Sequence, residues 1–152
     1  MSRKPSPTLE LADARQEGLY EIGAAAEASG VSVKMIRHYE QIGLIPEAMR
    51  TVANYRVYRE ADVHRLGFIR SARDLGFPMA RIKVLLALWD DRDRASADVK
   101  ALVMTHVEEI DTRIAELDRM RSTLLDLASR CHGDDRPECP ILGGLSPRRA
   151  PE

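Results

Sequence analysis

The two cysteines of this 152-residue chain, Cys131 and Cys139, lie close together near its C-terminal end. Gly133 and the neighbouring prolines bend the segment, so both sulfurs can reach one point. Two thiolates alone suit a soft monovalent ion such as Cu(I), whereas Zn(II) normally takes four ligands, or three and a water. Four other residues could complete a zinc shell, but we interpret them as solvated loop residues: His132, Asp134, Asp135 and Glu138. The spacing predicts metal sensing, with a reversible disulfide switch and idle thiols as alternatives.

A second set of chemically useful residues is basic and aromatic. Residues 19–83 hold ten Lys and Arg against seven acidic residues, whereas residues 84–152 hold ten against fourteen. Within the basic part, two clusters combine cations with aromatic rings, a combination suited to phosphates and base edges. The clusters are Lys34, Arg37, His38 and Tyr39, then Arg50, Tyr55, Arg56 and Tyr58. We predict that these eight residues contact double-stranded DNA.

The first cluster falls in a segment whose pattern predicts a helix-turn-helix. Apolar residues repeat at helical spacing from residue 19, and this first helix ends at Gly30. Ser32 fits the N-cap of a second helix that runs from 33 to about 42. In this motif the second helix enters the major groove, so the first cluster would face the bases.

The second cluster falls in residues 44–59, which predict a small hairpin wing with Asn54 at a left-handed turn position. Helical periodicity then returns over residues 60 to about 73 and again from Pro78. We therefore predict a winged helix-turn-helix domain over residues 19–89, preceded by a flexible arm over residues 1–18.

The acidic half begins after a polar linker over residues 90–96. Ser96 fits the N-cap of a dimerisation helix over residues 97–129, on which apolar residues recur in steps of three and four. They are Val99, Val103, Val107, Ile110, Ile114, Leu117, Leu124 and Ala128. A helix of roughly 48 Å with so narrow a stripe predicts a coiled coil with a second copy, rather than a helix folded back on its own core.

The predicted fold is thus mainly α. It consists of the N-terminal winged helix-turn-helix domain, the long dimerisation helix in an antiparallel coiled coil, and a C-terminal metal-binding loop over residues 130–142. A flexible tail over residues 143–152 completes it.

Several classes of protein are disfavoured. The longest wholly apolar run, Val84–Trp89, is far shorter than the roughly 20 residues that cross a bilayer, and no apolar stretch follows the N-terminal basic residues. We therefore expect a cytoplasmic protein without a membrane partner. No pairing of a nucleophile with a base and no open metal site stands out, so we do not expect an enzyme.

The order of the DNA-binding residues resembles that of the MerR family of transcription regulators. The signature I-R-x-Y-E-x-x-G-L followed by Y-R-x-Y matches residues 36–44 and 55–58. The resemblance covers nearly everything from Leu19 to Leu142. It implies a homodimer that binds promoter DNA and distorts an overlong spacer into a shape that RNA polymerase transcribes. Many members have Asn-Gly where this chain has Ala53 and Asn54, but Asn tolerates the left-handed conformation.

The cysteine spacing, Cys-x7-Cys followed by Pro-Ile, is similar to that of the copper-efflux regulator (CueR-like) branch of the family. This implies that Cys131 and Cys139 bind Cu(I), with Ag(I) or Au(I) as alternative inducers. Members that sense divalent ions carry a cysteine at the start of the dimerisation helix, where this chain has Ser96, so the third sulfur is absent. A Zn(II) or Cd(II) sensor, a thiol-redox regulator and a copper store or chaperone remain as alternatives.

Overall fold

The computed structural model describes residues 9–134 and 137–147. The ends of the predicted arm and tail, and Asp135 of the predicted loop, lie outside these residues. The chain divides into two compact units, Met1–Arg94 and Ala95–Glu152, and each is described separately.

The first unit contains five helices and three short strands among its described residues. Their order is α1 (Leu11–Gln16), β1 (Tyr20–Glu21), α2 (Ile22–Ser29), α3 (Val33–Gln41), β2 (Met49–Arg50), β3 (Arg56–Tyr58), α4 (Glu60–Asp74) and α5 (Met79–Asp90). The strands form an antiparallel sheet in the order β1-β3-β2, in which Tyr20 pairs with Tyr58 and Met49 with Val57.

The helix-turn-helix forms as predicted because both helices have strong end signals. Gly30 ends α2 with φ +73°, a left-handed conformation that glycine adopts without a steric penalty. Two residues later, the hydroxyl of Ser32 accepts a hydrogen bond from the backbone N–H of Met35 at 3.2 Å and caps α3. The two caps fix where α3, the predicted recognition helix, begins.

The wing is also confirmed. Strands β2 and β3 form a hairpin whose turn contains Asn54 with φ +68°, the single residue other than glycine in a left-handed conformation among those described. Strand β1 was not predicted. Two residues are too few for an alternating pattern, and the strand exists because its backbone pairs with β3.

A buried core unites α2, α3, α4 and α5. Its largest fully buried side chains include Ile36 of α3, Leu66 and Ile69 of α4, and Ile82 of α5. The two tyrosines Tyr39 and Tyr58 belong to the same core.

Helix α1 corrects the prediction of a flexible arm for residues 9–17. Ala14 on this helix is buried, and its carbonyl accepts the backbone N–H of Leu19 at 2.9 Å. The carbonyl of Leu9 accepts the N–H of Val52 in the wing at 2.8 Å. A six-residue helix is too short to show a clear period in the sequence, and tertiary contacts stabilise it.

The second unit contains two helices among its described residues, α6 (Ser96–Ser129) and α7 (Pro140–Leu145). Helix α6 agrees with the predicted long helix. Ser96 is its first residue, and the N-cap position belongs to Ala95, so the predicted capping role of Ser96 is wrong.

Helix α7 corrects the prediction of a loop and tail over residues 140–145. It packs on α6, where Gly144 lies directly against the side chain of Leu127, and Leu127 is buried. Pro140 occupies its first turn, a position where the missing N–H is not needed. Its short length again left no periodic signal.

Along most of α6, the apolar side chains are exposed to solvent in the single chain. Val103, Val107, Ile110, Ile114, Leu117 and Leu124 are 38–56% exposed. We call these six residues the α6 stripe. None of the described helices combines the length and apolar character that crossing a membrane requires.

Candidate nucleic-acid interface and thiol pair

The outer face of α3 carries three of the predicted DNA-binding residues. Lys34, Arg37 and His38 are all exposed, and their spacing of three and four residues puts them on one face. The opposite face holds Ile36, which is fully buried. A helix with one basic, exposed face and one buried, apolar face can place its cations in a DNA groove while it stays packed on the protein core.

The wing carries two more of these residues at its surface. Arg50 is half-buried, and its Nη1 donates to the carbonyl of Asn54 at 3.1 Å, across the hairpin turn. Tyr55 is 56% exposed. The turn thus presents a cation and an aromatic hydroxyl, both donors suited to phosphate oxygens.

Two of the predicted contacts are not at the surface. Tyr39 is 2% exposed and its hydroxyl accepts a hydrogen bond from Nη1 of Arg73 at 2.7 Å. Tyr58 is fully buried. This placement corrects the prediction that both rings contact DNA. Each apolar ring lies in the core and each hydroxyl already has a protein partner, as expected for buried tyrosines.

Glu40, at the end of α3, is a residue that the sequence reasoning did not single out. Its Oε1 accepts the backbone N–H of Ala48 at 3.0 Å and its Oε2 accepts the hydroxyl of Tyr58 at 2.9 Å. Nε of Arg56 lies 3.3 Å from the same Oε2. A single carboxylate thereby joins the recognition helix to the wing. Its position in the signature run was the one signal that could have found it.

This cluster is electrostatically matched. The side chain of Glu40 is 10% exposed, and Arg56 offsets its charge. Burial, and then the hydrogen bond to Glu40, raise the pKa of Tyr58, so its hydroxyl stays protonated as a donor. Arg56, predicted to contact DNA, is partly committed to Glu40 and holds the wing in place.

The two cysteines lie near each other. Both are free thiols and half-buried, and Cys131 is close enough to affect the pKa of Cys139. Cys139 lies just before α7, where the backbone N–H of Leu142 lowers the pKa of its thiol most strongly, followed by Ile141 and then Cys131. These donors favour a thiolate, the form that binds metals.

Within the described ranges, no group of three or more His, Cys, Asp and Glu side chains is placed where it could hold a metal ion. Among these residues the structure therefore gathers no third ligand around the two cysteines. Ser96 is exposed at the beginning of α6. The donor set fits a soft ion that accepts two ligands.

Two family models match this chain. The model described as MerR HTH family regulatory protein matches residues 20–88, and the model described as MerR, DNA binding matches residues 63–127. The first range ends two residues before the end of α5, and the second ends near the end of α6.

Similar proteins span most of this chain. Heavy metal-dependent transcription regulator 2 of Rhizobium meliloti strain 1021 is 59% identical over 80% of this chain and 82% of its own length. The regulator CueR of Escherichia coli O6:H1 is 41% identical over 82% of this chain and 93% of its own. The crystal structure of PbrR691 from Ralstonia metallidurans CH34 in complex with lead(II) has a TM-score of 0.73 and 34% identity, covering 84% of this chain and 99% of PbrR691.

The matching family models and relatives are DNA-binding regulators. This agrees with the exposed basic and aromatic side chains that α3 and the wing present. Members of the matching family are transcription regulators and not enzymes, in agreement with the sequence prediction. They bind promoter DNA as dimers. The chain belongs to the MerR family of transcription regulators.

Proposed function

We propose that this chain is a Cu(I)-responsive transcription regulator, with Ag(I) and Au(I) as alternative inducers. The observation that carries the proposal is the neighbouring pair of free thiols Cys131 and Cys139, which no third metal ligand joins among the described residues. Two thiolates satisfy a monovalent d10 ion such as Cu(I), whereas Zn(II) normally takes four ligands, or three and a water. Ser96 agrees with this choice because a hydroxyl is a poor ligand for a soft ion.

The relatives favour a metal signal, and their descriptions do not name copper. The Rhizobium meliloti relative is described as heavy metal-dependent, and PbrR691 binds lead(II). A Zn(II) or Cd(II) sensor is therefore the main alternative, and it would need a third ligand. The variant Ser96→Cys tests this point, because it should gain a divalent response only if a third sulfur was missing.

A cytoplasmic homodimer on promoter DNA is the working form that we propose. The α6 stripe is an exposed apolar surface on a 34-residue helix, as expected of a coiled-coil seam in a single protomer. Two domains, each with Lys34, Arg37 and His38 outward, would read two half-sites of a palindrome. Metal binding would shift the domains and distort the spacer for RNA polymerase, at a free energy of several kcal/mol that the metal must supply differentially.

The metal assignment is tested by an anaerobic competition titration of the reduced protein with Cu(I) and Zn(II), against chelators of known affinity. The matched controls are Cys131→Ser and Cys139→Ser. We expect very tight Cu(I) binding that either substitution abolishes, and weak Zn(II) binding. Tight Zn(II) binding, or Cu(I) binding that survives both substitutions, would overturn the proposal.

DNA binding is tested separately from metal binding. Arg37→Ala removes an exposed cation from the face of α3 and should cost roughly 1–3 kcal/mol of operator affinity. Arg119→Ala removes an exposed cation from α6 and is the control. A copper store or chaperone would be unaffected by Arg37→Ala in every assay.

The thiol geometry also favours a second candidate, a redox switch. Two neighbouring thiols, one with a lowered pKa, can form a disulfide when an oxidant accepts two electrons and the two thiol protons are released. A Cys131–Cys139 disulfide that forms in mild oxidant and changes DNA binding without metal would favour this candidate. A reducing compartment argues against it.

A further inference from the structure

Arg65 of α4 uses three nitrogens to hold two separate segments of the first unit. Its Nη1 and Nη2 donate to the two carboxylate oxygens of Asp90 at 2.9 and 2.6 Å. Its Nε donates to the carbonyl of Leu44 at 3.3 Å. A planar guanidinium with a rigid set of donors is the side chain that can do both at once.

One of these segments is tied to the recognition helix. Leu44 is buried just beyond the end of α3, and its N–H donates to the carbonyl of Tyr39 at 2.8 Å. The next residue, Ile45, is also buried, and its N–H donates to the same carbonyl at 3.4 Å. Arg65 therefore reaches α3 through one buried and hydrogen-bonded residue.

The other segment is the exit from the DNA-binding unit. Asp90 is the last residue of α5, and the following segment is ordered by its own turn. The carbonyl of Asp91 accepts the N–H of Arg94 at 3.4 Å and its Nη1 at 3.0 Å. The linker therefore continues directly from Asp90 into a hydrogen-bonded turn.

An aromatic contact reinforces the same junction. Trp89 precedes Asp90 and lies against Phe68 of α4, with ring centroids 4.8 Å apart. Phe68 and Arg65 are three residues apart and share a face of α4. The end of α5 is consequently held by one apolar and one ionic contact on neighbouring turns.

The side chains of Arg65 and Asp90 are 24% and 56% exposed, so solvent screens the charge attraction between them. Their bidentate contact fixes the distance and angle between the end of α5 and the segment after α3.

We propose that Arg65 is a positioning residue that couples the recognition helix to the linker after α5, so that DNA engagement and linker displacement influence each other. The proposal rests on the function proposed above, because the signal that displaces the linker is metal binding. It assigns the coupling to a local contact within the first unit.

Trp89 provides the test, since it is the single tryptophan of the chain and adjoins Asp90. The probe is an operator duplex selected in vitro by the full-length wild-type protein, and binding is measured by the anisotropy of labelled DNA. We expect DNA binding to change the Trp89 emission of the wild type. Arg65→Gln should abolish that change while retaining operator affinity within about threefold.

Three further variants sharpen the test. Asp90→Asn keeps the shape of the side chain but weakens the fork, and should also reduce the emission change. Arg65→Lys keeps the charge but cannot make the three contacts together, and should not restore it. Glu60→Gln, which removes a carboxylate 3.9 Å from Nε2 of His64 within α4, should behave as the wild type.

The same variants are then assayed for transcription from that promoter with and without Cu(I). Arg65→Gln should lower the Cu(I)-dependent activation by roughly 2- to 30-fold. A Trp89 emission change in Arg65→Gln equal to that of the wild type, or no emission change in the wild type, would overturn the inference. This holds whether or not transcription responds to Cu(I). A wild type that ignores Cu(I) would overturn the proposed metal instead, and the emission experiment would still decide the coupling.

Discussion

Tyr58→Phe is the most direct test of the carboxylate cluster that joins α3 to the wing. The substitution removes one oxygen from a fully buried ring and leaves its packing otherwise intact. That oxygen donates to Oε2 of Glu40 at 2.9 Å, and Glu40 is itself nearly buried. The change therefore isolates one hydrogen bond to a charged group.

The expected loss of folding stability in Tyr58→Phe depends on the partners that the Glu40 carboxylate retains. Arg56 still pairs with Oε2, and the N–H of Ala48 still donates to Oε1. Hydrogen bonds to charged groups contribute about 1.5–3 kcal/mol, and the surviving partners favour the lower part of that range, about 2 kcal/mol. For a chain of 152 residues this corresponds to a fall in Tm of roughly 4–8 °C.

Equilibrium unfolding in urea measures this difference, with all variants at one protomer concentration because association contributes to stability. Tyr55→Phe is the matched control, since Tyr55 is exposed on the same wing and its hydroxyl should matter by less than about 0.5 kcal/mol. If Tyr58→Phe lowered the free energy of unfolding no more than Tyr55→Phe does, the hydroxyl of Tyr58 would not be needed as a hydrogen-bond donor to Glu40, and this prediction would be wrong.

Three further predictions concern two glycines, at the end and in the first turn of α2, and the thiol of Cys139. Gly30→Ala should destabilise the protein by roughly 1–2 kcal/mol or more, because φ is +73° and the new Cβ would meet the guanidinium of Arg70. Gly23→Ala, in the first turn of α2 with no atom within 4 Å of the new Cβ, should instead stabilise it by roughly 0.5–1 kcal/mol in the same urea assay. The lowered pKa of Cys139 means that this thiol loses its proton at a lower pH than an ordinary cysteine. Iodoacetamide should therefore alkylate it, in the reduced metal-free protein, with a midpoint pH below that of the same cysteine in urea; identical midpoints would contradict the geometry.

The parts of the fold that the sequence predicted are those with strong local signals. Gly30 and Ser32 carry specific backbone and capping requirements, and Asn54 marks the tip of the wing. The long α6 repeats its pattern over many turns. In contrast, α1, β1 and α7 are two to six residues long, and tertiary contacts create them. No periodicity can develop over so few residues.

The candidate site shows the same division. Lys34, Arg37 and His38 were predictable as a surface because they alternate with buried apolar residues on one helix. Tyrosine suits both a core and a DNA surface, so residue type could not decide for Tyr58. Glu40 escaped notice because its role depends on three partners that meet only in the folded unit.

The α6 stripe has a consequence for the genetics of this regulator. In the dimer proposed above, a copy whose α3 is damaged but whose α6 stripe is intact would still pair with a normal copy, and the mixed dimer would have one intact DNA-binding domain. Such an allele would be dominant in a cell that carries both. An allele that places a charge at Ile110 or Ile114 would withdraw only its own product and would be recessive. The position of a mutation along the chain would thus decide whether the allele is dominant or recessive.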